Sequence, residues 1–94
     1  MPETHFRVRW PDQSTTLCYS PSSTIRETFV INQSYVLAEF VALAKQALEH
    51  ASERVRKKYG YGCAHASWQI DEIRQIAMRF AEDQNARVIV EGFE

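Results

Sequence analysis

Apolar and polar residues alternate from His5 to Trp10, with Phe6, Val8 and Trp10 on one side and His5, Arg7 and Arg9 on the other. That is the period of a half-buried β-strand. Pro11-Asp12-Gln13-Ser14 follows as turn chemistry, because Pro pre-sets one backbone angle and Asp and Ser can bond their own backbone. Thr15 to Ser20 returns to β-branched and aromatic residues, with Leu17 and Tyr19 on one face and Thr16, Cys18 and Ser20 on the other. The pattern predicts a hairpin. Pro21-Ser22-Ser23 breaks the second strand, since Pro lacks the amide hydrogen a central ladder needs. Thr24 to Val30 has two readings. Its β-branched and aromatic content points to a third, edge strand, whereas Thr24 followed by Glu27 has the spacing of a capping box that opens one helical turn. The strand is the expectation taken forward.

Asn32-Gln33-Ser34 supplies a helix start, with Ser34 as the residue that accepts a bond from an otherwise orphaned amide. Leu37, Val41, Ala44, Leu48, Ala51 and Val55 then recur at spacings of four and three, and Phe40, Leu43 and Ala47 widen the stripe. Arg54, Arg56, Lys57 and Lys58 suit the negative end of the helix dipole, and Gly60 can take a left-handed cap. After Tyr61-Gly62-Cys63, a second helix is predicted to begin between Ala64 and Trp68 and to lie antiparallel to the first. Its stripe is Ala66, Ile70, Ile73, Ala77 and Phe80, with Ile76 alongside, and Asp83-Gln84-Asn85 ends it. Arg87 to Phe93 forms a last strand whose two faces both carry apolar residues, which suits a central place in the sheet.

The expected architecture is therefore α+β: an antiparallel sheet of three or four strands, in the order β-β-(β)-α-α-β, covered on one face by an antiparallel helical hairpin. At 94 residues, 45% hydrophobic and 24% charged, residues 1–94 have material for one core and too little for two. A first helix of 24 residues would reach about 36 Å, longer than a four-stranded sheet is wide. Its overhanging end is expected to leave apolar surface for a second subunit, so a homo-oligomer, a dimer, is anticipated. A formal net charge of -1 gives no global attraction to nucleic acid or to an anionic membrane. Met1-Pro2-Glu3-Thr4-His5 lacks a basic region followed by an apolar run, and no stretch approaches the roughly 18 apolar residues of a membrane span. A cytoplasmic location is the expectation.

Chemistry-bearing residues are sparse. Cys18 and Cys63 have neither the density nor the spacing of a disulfide framework. With His65 they make an incomplete zinc set without a CxxC, so no metal and no cofactor is assigned, and a small half-buried thiol at each place is the plainer reading. Cys63 precedes a helix and follows a basic turn, which makes it a weak candidate nucleophile. The Cys18-Tyr19-Ser20-Pro21-Ser22 segment gathers a thiol, a phenol and hydroxyls where a strand ends, a position from which loops often bind ligands. Arg54 differs from the other basic residues because it borders the apolar stripe, as a buried or interface ion-pair partner of Glu53 or Glu94 would. Cys18, Tyr19, Ser20, Ser22, Arg54 and Cys63 are thus the candidate ligand- or partner-binding residues.

Phe6-Arg7-Val8-Arg9-Trp10-Pro11-Asp12, Cys18-Tyr19-Ser20-Pro21-Ser22, Ala51-Ser52-Glu53-Arg54-Val55-Arg56, Tyr59-Gly60 with Cys63, and Gly92-Phe93-Glu94 together resemble a small nitrogen-starvation-response family encoded in nitrilase-associated bacterial gene clusters. The likeness covers nearly the whole chain. It implies a role in nitrogen stress or nitrile-related metabolism, beside the enzymes of such a cluster, and supplies no catalytic residue. This chain departs from the family by carrying Ala64-His65 where Ser is frequent, and Asn32 near a frequent Gly. The expected function is a non-catalytic accessory or regulatory protein that self-associates. The alternative is a small ligand-binding subunit or enzyme using Cys63 or the Cys18-Tyr19-Ser20 segment.

Overall fold

The computed structural model describes residues 3–60, 64–83 and 85–94. Strands β1 (Thr4–Arg9) and β2 (Thr15–Ser20) form the expected hairpin, with Phe6 opposite Cys18 and Val8 opposite Thr16. Its turn closes as the residues dictate. Asp12 Oδ1 accepts bonds from the Ser14 amide and hydroxyl, which hold the Asp12 carboxyl below the usual carboxylate range, and Gln13 takes a left-handed φ of 73°.

A short helix α1 (Ile25–Thr28) comes next, so the expected strand over 24–30 is corrected to a helical turn. Ile25 and Phe29, four residues apart, are both buried, while Glu27 between them is exposed. A strand would have put all three on one face; a helical turn separates them. The capping box does not form, however, since Thr24 makes no side-chain cap bond and its carbonyl accepts the Glu27 amide instead.

The third strand, β3 (Ser34–Val36), lies later in the chain than anticipated and pairs antiparallel with the last, β4 (Arg87–Phe93). Ser34 is accordingly a strand residue rather than a helix cap. Asn32 precedes it at φ 67°, the left-handed region that glycine favours and Asn tolerates. All four strands make one antiparallel sheet in the order β2-β1-β4-β3, with β4 central as its two-sided apolar pattern suggested.

Helix α2 (Leu37–Tyr59) runs directly out of β3 and stops at Gly60, which caps it at φ 85° by donating its amide to the Arg56 carbonyl at 2.7 Å. Phe40, Ala44, Leu48 and Ala51 are its buried stripe. Helix α3 (Ala64–Met78) packs beside it, burying Ala66, Gln69, Ile73 and Ala77. It ends earlier than Asp83-Gln84-Asn85, because Arg79, Phe80 and Ala81 make tighter i→i+3 turns that return Phe80 to the core.

The core lies between one sheet face and the helices, and aromatic rings dominate it. Phe29 sits 5.2 Å from Phe40, 5.4 Å from Tyr35 and 6.2 Å from Phe6, and Phe40 in turn meets Trp10 edge-on at 5.7 Å. On the other sheet face, Arg7 pairs with Glu94 and Arg9 with Glu91. Replacing Phe40 by Ala, at zero exposure and in contact with two rings, is expected to cost about 3 to 5 kcal/mol. Denaturant unfolding followed by tryptophan fluorescence checks this through Trp10, which meets that ring edge-on.

Candidate functional site

The strand end singled out in the sequence is a structural joint. Cys18 has no exposure, and burial, helped by Glu72, pushes its thiol well above the ordinary range. It is a core side chain, more deeply placed than the half-buried thiol expected. The Ser20 hydroxyl donates to the Ser22 carbonyl at 2.8 Å and accepts the Ser22 amide, and the Ser22 hydroxyl accepts the Thr24 amide. These groups turn the chain into α1. Tyr19 is half-buried; its amide donates to Gln69 Oε1 at 2.8 Å, and its ring lies edge-on to His65 at 5.0 Å and to His5 at 5.9 Å. Because β2 is an edge strand, the buried Gln69 satisfies a backbone donor that the sheet cannot. Cys63 lies outside the described residues, and among those described no group of three His, Cys, Asp or Glu is arranged to hold a metal ion.

Arg54 does not join that segment. It is exposed and, among the described residues, has no ion pair: Glu53 pairs with Arg56, and Glu94 with Arg7. It lines a cleft of about 500 Å³ between α1 and α2, where Thr24, Glu27 and Thr28 face Gln46, His50 and Arg54 across a floor of Leu43 and Ala47. The three α2 residues recur every fourth position, so one helix face presents all of them. Thr24 Oγ1 is the one buried side-chain polar atom without a hydrogen-bond partner among the described residues. Sequence reasoning reached Arg54 and missed its companions. The available signal was the four-residue recurrence of Gln46, His50 and Arg54, obscured because the apolar stripe beside it dominates the helix.

A second cleft, of about 580 Å³ and mainly apolar, opens at the other end of α2, between its first turns and the last turns of α3. Leu37, Val41, Ala77 and Phe80 line it, Arg74 and Asp83 supply its polar groups, and the flanking Met78 and Val36 are 74% and 39% exposed. The sequence leads to the expectation that an overhanging end of this helix leaves apolar surface exposed. The last turns of α2 present Glu53, Arg54, Arg56, Lys57 and Lys58 to solvent, whereas the exposed Val36 and Met78 lie beside its first turns.

A family model described as nitrogen starvation-induced protein NitG matches residues 5–93. The chain belongs to this family. No curated protein and no solved structure matches it. The NitG match runs from β1 into β4 and so takes in every element that builds the two clefts. No helix among the described residues is long and apolar enough to cross a membrane.

The burial of Cys18 has two measurable consequences. In a Cys63→Ser background, a thiol reagent is expected to modify Cys18 only as fast as the protein unfolds, and rapid labelling of the native state would contradict its placement in the core. The folded chain also keeps this thiol protonated where the unfolded chain ionises it, so its contribution to stability declines as pH rises past 9.0, the ordinary thiol value. Cys18→Ala should flatten that decline in urea titrations.

Proposed function

We propose that this protein is a non-catalytic accessory of the nitrogen-starvation response that self-associates as a dimer and serves enzymes of a nitrilase-linked cluster. Membership of the NitG family supports the physiological setting. The resemblance noted in the sequence is what suggests the nitrilase-linked enzymes.

The apolar cleft carries the docking part of this reading. A concave surface of Leu37, Val41, Ala77 and Phe80 with a protruding Met78 beside it is both a pocket and a plug on one face. Such a surface suits a two-fold contact, in which each copy's Met78 enters the other's cleft. Methionine fits this task because its unbranched, polarisable side chain adapts to an irregular hollow. Arg74 and Asp83 give the same face a positive and a negative group, which a two-fold axis can pair across copies.

The reading of a small enzyme built on the Cys18-Tyr19-Ser20 segment gains no support from a Cys18 sealed in the core and a Ser20 hydroxyl committed to Ser22. Sedimentation and native mass measurements test the dimer. A dimer at micromolar concentration is expected, and Met78→Glu should weaken it by at least about tenfold, since it would bury a charge in an apolar contact. A monomeric wild-type protein, or a Met78→Glu dimer of unchanged strength, would overturn the proposed contact. A pull-down from nitrogen-starved cells, with Met78→Glu bait beside the wild type, tests the accessory role through the enzymes retained.

A further inference from the structure

The cleft between α1 and α2 is independent of the apolar docking surface and lies further along α2. Four salt bridges are found among the described residues, and neither Arg54 nor Glu27 takes part in any of them. Yet both line this one cleft, Arg54 on α2 and Glu27 on α1. Opposite charges on facing walls that do not close on each other leave room for a molecule bearing both complements. His50 and Gln46 stand one and two turns before Arg54 and, with Thr28 opposite, likewise spend no side-chain hydrogen bond on a described residue. At the head of α1, Thr24 Oγ1 has no hydrogen-bond partner among the described residues and lies buried beneath the cleft surface, where its unmet bond is a cost to stability.

From this arrangement we propose that the α1–α2 cleft is a binding site for a small zwitterion of the α-amino acid class. Arg54, with His50 beside it, binds the carboxylate, for which a guanidinium is the best-matched partner in a protein. Glu27 accepts bonds from the ammonium group. Gln46 and the Thr28 hydroxyl supply neutral donors and acceptors, and the partly buried Leu43 and Ala47 form an apolar floor for the aliphatic part. About 500 Å³ lies in the ordinary range of small-molecule pockets. Both walls are fixed. α2 is anchored by its buried stripe, and α1 by Ile25 and Phe29 in the core and by the Ser20 and Ser22 bonds at its entry. The charged groups themselves are exposed, so they are accessible to a ligand and dispensable for folding.

Calorimetry and thermal melting of the full chain with L-alanine, L-serine, L-glutamine and L-glutamate, against propionate and ethylamine as single-charge controls, test the site. At least one amino acid is expected to bind and raise the melting temperature, and neither control should match it. Arg54→Ala and Glu27→Gln should each weaken that binding by about tenfold or more while leaving the unliganded melt unchanged. Three results would overturn the proposal: no binding by any of the amino acids, propionate binding as tightly as an amino acid, or Glu27→Gln without effect.

Discussion

The contact of Phe29 with Phe40 ties the molecule together. Phe29 leaves a four-residue helix and enters the core, where it also meets Phe6 of β1 and Tyr35 of β3, while Phe40 on α2 meets Trp10. One ring pair therefore connects two strands, the short helix and the long helix. Large buried aromatic rings at these separations are among the strongest contributors to a small core. The Tyr35 hydroxyl adds a polar restraint by accepting the Val30 amide at 2.9 Å. With Phe29 fixed, the chain between β2 and β3 has few courses open to it. It coils once, crosses the top of the core and returns as an outer strand.

That course explains where reactive groups become accessible and where they do not. A chain turning inward after Ser20 consumes its hydroxyls in local bonds and places Cys18 beneath α3. The same turn holds α1 beside α2 and creates the cleft of Thr24, Glu27, His50 and Arg54. The segment singled out from the sequence thus acts through what it positions.

The hairpin, the length and cap of α2, and the central place of β4 were legible because each depends on a local pattern: alternation, a four-and-three repeat, or a glycine after a basic turn. The segment from Thr24 to Val36 was not, because its outcome is decided by tertiary contacts. Its β-branched residues favour a strand, but the burial of Ile25 and Phe29 one turn apart outweighs a propensity difference of about 1 kcal/mol. Ser34 misled for the same reason, since a competent cap residue was recruited to pair with Ile89. The site was half legible. Arg54 stood out beside an apolar stripe, whereas Glu27 and Thr24 become its neighbours only when α1 packs on α2, a relation that no spacing along the chain encodes.

The two clefts share a helix without sharing side chains. Val41, at the apolar cleft, and His50, at the polar one, are nine residues apart on α2, about 13 Å along its axis. Substitutions that far apart with no common partner usually act additively. Any interplay would have to pass through the buried stripe of Phe40, Ala44 and Leu48, which contacts both sheet and neighbouring helices as one packed unit. Close packing resists graded deformation, so the stripe serves as a fixed spacer between the surfaces. Under the proposed function and ligand site, a partner would dock at one end of α2 and a small molecule would bind further along it, with each surface tuned separately. For a chain of 94 residues, the proposed reading would make α2 the element that carries both surfaces.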